Sequence, residues 1–336
     1  MSPMQFAIGV DLGGTNLRVA AIETTGRNLE TVDRTTATAR EIVLEDMTSA
    51  IRSLVNRYKS THEFVGIGVG IPGVVDLAGG ILRSAANLPG WKDYPVAQEL
   101  ESRLGVPVLL ENDANCAALG EQWLGAGIGL EDLCMLTLGT GVGGGLIVNG
   151  RPWHGVAGMA GEVGHMTVIP DGRPCGCGNR GCLEQYASAT AIRRLAVEAV
   201  VSGEPTIMTL CADPRRELTA EAVFQAALRG DRAAHQIFEI AGRALGIALA
   251  SLINVLNLPL FVLGGGLSKA WDIFSPALFR ELKVRSIVFR TREELGAAQE
   301  SPFITPTRLA GNAGLIGAAR LPMLGQVCRD VCHPAI

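Results

Sequence analysis

Aromatic side chains make up only 5% of this 336-residue chain, and charged ones only 18%. Small and aliphatic residues take their place: glycine occurs 42 times and hydrophobic residues reach 48%. Such a composition suits an α/β protein with many tight strand-to-loop turns. At this length two compact cores are expected rather than one. No long basic run is present and the formal charge is −4, which argues against a nucleic-acid partner. The first residues lack a positively charged region, and the apolar run from Phe6 breaks at Asp11. No signal peptide is therefore expected, and a cytoplasmic location is. Residues 244–267 carry no charge, but Asn254, Asn257, Pro259 and a glycine triplet interrupt them. They read as a buried helix, a break and a buried strand rather than a membrane span.

The apolar pattern predicts strands at residues 5–11 and 17–23, a helix at 41–59, a strand at 64–70, a helix at 94–104 and a strand at 106–110. Asn112 could cap a helix that runs to about residue 124. A second round follows, with strands at 133–138 and 143–149 and a loop-rich stretch at 151–181. Helices are expected at 185–201, 219–228 and 232–256, and a strand at 260–263. A helix at 272–289, an extended segment at 303–308 and a last helix at 311–321 complete the chain. Each half opens with strand, glycine turn, strand, which suggests an internal structural duplication.

Neither turn is a dinucleotide fingerprint, and the chain holds no Gly-Lys-Ser/Thr of a Walker loop. The first turn reads Asp11-Leu12-Gly13-Gly14-Thr15-Asn16, and the second runs from Gly139 through Thr140 and Gly141 to Gly143. Backbone N–H groups without side chains in the way suit phosphate oxygens. Thr15 and Thr140 add hydroxyls, and Asp11 could hold Mg²⁺. Either turn alone could be a plain hairpin; together with Gly264-Gly265-Gly266 after a third strand they point to a nucleotide. Asp113 stands where a buried strand meets a helix. Phosphoryl transfer to an alcohol needs such a proton acceptor, yet helix capping explains the residue equally well.

Three of the eight cysteines are crowded as Cys175, Cys177 and Cys182, ten residues and more after His165. Three thiolates and an imidazole make a closed tetrahedral zinc site, which is a structural type. Glu162 and Glu184 flank this cluster, and fixed carboxylates are good partners for sugar hydroxyls. Cys328, Cys332 and His333 could form a second metal site but read as a frayed tail. His154 is assigned no role, and Trp91 could line a cleft or merely pack a loop.

These motifs, in this order, resemble the ROK family of repressors, open reading frames and sugar kinases. The resemblance rests on Asp11 to Thr15, on Glu111-Asn112-Asp113-Ala114-Asn115, on Leu138 to Gly143 and on Glu162-Val163-Gly164-His165. It also rests on the run from Cys175 to Glu184. It implies two actin-like, ribonuclease-H-like α/β domains with the active site in the cleft between them. The smaller domain would span residues 1–111 plus 312–336, and the larger, with the zinc loop, residues 112–311. It further implies Asp113 as the base, with Gly73, Asn112, Glu162, His165 and Glu184 holding the sugar. The glycine turns would embrace the phosphates of ATP·Mg²⁺, and Gly264 to Gly266 would flank the adenosine. The repressors carry a helix-turn-helix before the first glycine turn; only ten residues precede Asp11 here, so the kinase branch is expected. The stretch from Ala85 to Trp91 leans toward glucose, phosphorylated at the 6-hydroxyl. Kinases of N-acetylmannosamine, N-acetylglucosamine or fructose, and a non-catalytic sugar sensor, stay open as alternatives. A homodimer is the expected assembly, with a small sugar as ligand and neither nucleic acid nor membrane as partner.

Overall fold

The computed structural model describes residues 4–85, 87–212, 218–294 and 303–325. In chain order the first strands and helices are β1 (Gln5–Leu12), β2 (Asn16–Glu23), β3 (Asn28–Thr35), α1 (Arg40–Tyr58), β4 (Glu63–Ile71), β5 (Val74–Asp76) and β6 (Ile81–Ser84). Next come α2 (Val96–Leu104), β7 (Val108–Asn112), α3 (Asp113–Leu124), β8 (Leu133–Leu138), β9 (Val142–Val148) and β10 (Arg151–Pro152). The remainder is α4 (Glu184–Ala187), α5 (Ala189–Val201), α6 (Met208–Cys211), α7 (Ala220–Leu228) and α8 (Arg232–Leu256), then β11 (Phe261–Gly264), α9 (Trp271–Arg285), α10 (Ile287–Glu294), β12 (Ile304–Pro306) and α11 (Ala313–Met323). Two five-stranded sheets form, in the orders β3-β2-β1-β4-β7 and β10-β9-β8-β11-β12.

Contacts divide the chain into two compact units. One holds the chain up to Leu133, Gly145–Ala160 and everything from Gly311 on; the other holds Cys134–Gly144 and Gly161–Ala310. Compared with a division at residues 111 and 112, α3 and β10 go with the first unit. The reason is visible in the packing of α3 on α11. A Cβ on Gly317 would lie 1.7 Å from the Cys116 carbonyl oxygen, and one on Gly120 would lie 2.2 Å from that of Ala313. Only bare backbone lets the two helices come this close.

In the first unit the strand period of two sorts the residues of β1. Phe6, Ile8, Val10 and Leu12 join Leu44, Met47 and Leu54 of α1 and Leu100 of α2 in one core. The other face of the sheet belongs to α11. There a Cβ on Gly68 would meet the Ala318 carbonyl at 2.0 Å, and one on Gly9 would meet that of Leu315 at 2.4 Å. Trp91 is 1% exposed and packs edge-on against Tyr94, so loop packing accounts for it.

In the second unit β11 runs parallel to both β8 and β12. The long α8 begins at Asp231, whose side chain accepts from the Ala234 N–H, and stops at the left-handed Asn257. It is long and apolar enough to cross a membrane by length and composition, but half of its most apolar window is buried inside the fold. Gly242 and Gly246 bring it against the backbone of α9 at Phe274 and Leu278.

Two helices expected to be continuous are broken. Ser188 adopts an extended conformation and caps α5 through the Ala191 N–H, ending α4. Ser286 interrupts the expected 272–289 helix: its hydroxyl donates to Asn254 Oδ1 at 2.8 Å and accepts from the Phe289 N–H at 3.1 Å. Cys328, Cys332, His333 and Ala86 lie outside the described residues.

Candidate active site and metal centre

In the first unit the β1–β2 turn is closed by a Gly13 N–H to Asn16 carbonyl bond of 2.8 Å and buttressed from β3's end. The Thr36 hydroxyl donates to the Gly13 carbonyl at 2.7 Å, and the Thr36 N–H to that of Thr15 at 2.9 Å. Gly14, Thr15 and Asn16 are exposed at its tip. Asp11, on the α11 face of β1, fits beside Gly314, where a Cβ would lie 3.3 Å from the carboxyl. Burial, then the charge of Asp113, raise its pKa from 3.8 to about 6, against a smaller pull from Arg18.

Asn112 is both the last residue of β7 and the cap of α3. Its Oδ1 accepts from the Ala114 N–H at 2.9 Å and the Asn115 N–H at 3.3 Å, and its Nδ2 donates to the Gly73 carbonyl at 3.0 Å. Gly73 has φ of 104°, and a Cβ there would strike the Ser84 carbonyl at 2.1 Å. Asp113 opens α3, with Oδ1 accepting from the Ala114 N–H at 2.9 Å. Behind this junction the buried Glu111 meets His154 Nε2 at 2.7 Å. Burial lowers the pKa of His154, but the hydrogen bond and charge of Glu111 outweigh it and the net shift is upward.

In the second unit the β8–β9 turn rests on the start of α5. The Gly139 carbonyl accepts from the Ala189 N–H at 2.8 Å and that of Thr140 from the Thr190 hydroxyl at 2.7 Å. Glu184 Oε2 accepts from the Val142 N–H at 3.0 Å. A Cβ on Gly141 would lie 2.3 Å from that oxygen. Gly265, with φ of 82°, passes 2.4 Å from the Leu138 carbonyl by the same measure, so the third glycine run abuts the second turn. Together they border a cavity of 310 Å³, closed by Phe224, Glu221 and Ala220 of α7 and by Lys269. That volume lies at the lower end of small-molecule sites, about 300 Å³. The α7 residues and Lys269 escaped the sequence reading, because nothing in a local pattern tells which helix will cover a distant turn.

His165, Cys175, Cys177 and Cys182 bring one ligand atom each to within 4.8 Å of one another. Cys177 Sγ and Cys182 Sγ are 3.7 Å apart, as are Cys175 Sγ and His165 Nδ1. A zinc tetrahedron with Zn–S of about 2.3 Å has edges of about 3.8 Å, so the four donors fit the ion. Burial pushes the Cys182 thiol up to about 12, and a cation would supply the charge a thiolate there needs. Tyr186 braces the loop by accepting from the Arg173 N–H at 2.8 Å. His165 Nε2, the nitrogen turned away from Cys175, lies 3.8 Å from Glu162 Oε2.

The sequence pattern of the ROK family matches residues 7–323. The glucokinase of Halalkalibacterium halodurans is 43% identical over 272 residues, 79% of this chain and 81% of that protein. The glucokinase of Thermotoga maritima is 37% identical, covering 94% of this chain and 96% of its own. A solved ROK family glucokinase from Streptomyces griseus, in complex with glucose and AMPPNP, has a TM-score of 0.79 and 32% identity. It covers 95% of this chain and 100% of its own. This chain belongs to the ROK family.

Proposed function

We propose that the protein transfers the terminal phosphate of ATP to the 6-hydroxyl of glucose, giving glucose 6-phosphate. The observation that carries this reading is the Asn112–Asp113 junction: a carboxylate at the head of a capped helix, tied through Asn112 to Gly73, in a chain so similar to glucokinases. Asp113 takes the hydroxyl proton as the oxygen attacks in line. The Ala114 N–H steers its carboxylate. Asn112 Nδ2 carries a second hydrogen suited to a sugar hydroxyl, and Gly73, Glu162, His165 and Glu184 complete the sugar site. Gly13, Gly14, Thr15, Asn16, Gly139, Thr140, Gly141 and Gly143 receive the phosphates, with Asp11 near the divalent ion that offsets their charge. Gly264, Gly265 and Gly266 border the adenosine, for which the cavity under α7 is the natural seat. Because phosphoryl transfer is loose in character, placement and charge stabilisation supply most of the acceleration. Zinc on His165, Cys175, Cys177 and Cys182 holds the loop that carries Glu162 and Glu184. A cytoplasmic homodimer belongs to the same reading.

The test is ADP release with ATP·Mg²⁺ across glucose, mannose, fructose, N-acetylglucosamine and N-acetylmannosamine. The highest kcat/KM is expected for glucose. Preference for an N-acetylated sugar would overturn the substrate and leave the chemistry. Zinc-replete protein inert on every sugar would replace the kinase with a sensor.

A further inference from the structure

Glu111 is a buried carboxylate that the proposed chemistry does not use. It lies on the α3 side of β7 and is 3% exposed. Its Oε1 accepts from the Asn112 backbone N–H at 2.9 Å and from Asn115 Nδ2 at 3.0 Å. Its Oε2 accepts from His154 Nε2 at 2.7 Å. Glu111 thus grips the strand-to-helix junction from behind, at the two residues on either side of the Asp113 turn.

His154 follows β10 at the base of a short loop, closed where the Ala160 N–H returns to its carbonyl at 3.1 Å. Two neutral donors compensate a buried carboxylate only in part; a donor that can carry positive charge does so far better. Without the imidazole, Oε2 would be a buried charge with its strongest partner gone. Glu111 would then have to swing toward water, and both Oε1 bonds would go with it. The first casualty is the bond to the Asn112 N–H. Asn112 is the residue whose side chain caps α3 and holds Gly73, so a slackened backbone there moves the cap, the Gly73 carbonyl and Asp113 together.

We propose that His154, acting through Glu111, is a positioning residue that sets the sugar-binding geometry of Asn112 and the stance of Asp113. The inference rests on the roles given to those two residues above. In this role His154 acts through Glu111 rather than on sugar or nucleotide directly. Displacements of only about 1 Å in such a constellation cost roughly 100-fold in rate, so a side chain behind the site can matter as much as one within it.

The experiment compares His154→Ala, His154→Asn, His154→Gln and Asp113→Asn, with kcat, glucose KM, ATP KM and melting temperature for each. His154 is one-quarter exposed on a loop, so its removal opens no sealed cavity, and His154→Asn is a second variant too short to reach Oε2. The Ala and Asn variants are expected to raise glucose KM roughly ten-fold, the cost of a lost hydrogen bond to a charged group, while ATP KM stays put. His154→Gln, whose neutral amide N–H reaches the same oxygen, should recover part of the loss. Unchanged glucose KM, a parallel rise in both KM values with a fall in melting temperature, or a Gln variant no better than Ala would each overturn the inference. Asp113→Asn separates its failure from that of the site itself. With Asp113→Asn down at least about 100-fold and the His154 variants normal, only the positioning role falls. If Asp113→Asn turns over normally, the site reading falls and the inference with it.

Discussion

Asp11 carries a conflict between folding and chemistry. Burial and the neighbouring Asp113 raise its pKa from 3.8 to about 6, so the fold favours the neutral acid. The linkage sign follows directly. Its contribution to stability is complete below pH 3.8 and is lost as the pH rises through about 6. At neutral pH the charged form is a cost that a bound divalent ion would relieve. Asp11→Asn is therefore expected to raise the melting temperature of the nucleotide-free protein at neutral pH while cutting turnover. The gain should shrink as the pH is lowered through the interval between those two values. A melting difference that ignores pH across that interval would sink this account. Glu184 stands two residues beyond Cys182, one of the four candidate metal donors, and accepts from the Val142 N–H at the foot of the second glycine turn.

Helix α11 seals one face of the first sheet by resting on bare backbone, and so does its contact with α3. Gly317→Ala would drive a Cβ to 1.7 Å from the Cys116 carbonyl, so α11 and α3 must part. A loss of about 3 kcal/mol is expected from such overpacking, read from urea unfolding. Gly311→Ala is the control, since a Cβ there meets nothing within 4 Å; equal losses in the two would discard the close-approach argument. How much of the fold the sequence discloses depends on whether the signal is local. The ends of α8 are legible in its 3.6-residue apolar pattern and in the Asn257–Pro259 break, and they fall at residues 232 and 256 as expected. Strand β3 is not legible, because it is a polar strand at the sheet edge with no buried residue. The breaks at Ser188 and Ser286 hide within apolar patterns that continue across them. In the candidate site, the glycine turns, the Asn112–Asp113 junction and the four candidate metal donors stand out because each lies within a short stretch of sequence, although helix capping could explain Asp113 equally well. Phe224 and Lys269 at the cavity, and His154 behind Glu111, owe their place to tertiary contacts between distant segments, which no window of sequence contains.

Across the whole molecule, the four donors of the candidate metal centre lie in a loop that has little secondary structure of its own, from the turn at Val163–His165 to α4, and a bound ion would tie it. Stoichiometric zinc is expected in purified protein. Chelation should lower the melting temperature, deprotect residues 165–186 in hydrogen exchange and raise glucose KM. Metal-free protein with unaltered melting and exchange would rule out a structural ion. The division into units has its own consequence. Neither unit is one continuous stretch: the first takes its opening 133 residues, a piece in the middle and everything from Gly311 on. Synthesis runs from the N-terminus, and domains usually form as they emerge. Here the sheet begun at Gln5 must wait, its glycine face at Gly9 and Gly68 uncovered, until α11 clears the ribosome. The nascent chain therefore carries an unfinished first unit until α11 has been made, and a message cut short before residue 311 yields a protein that lacks the lid of its first sheet.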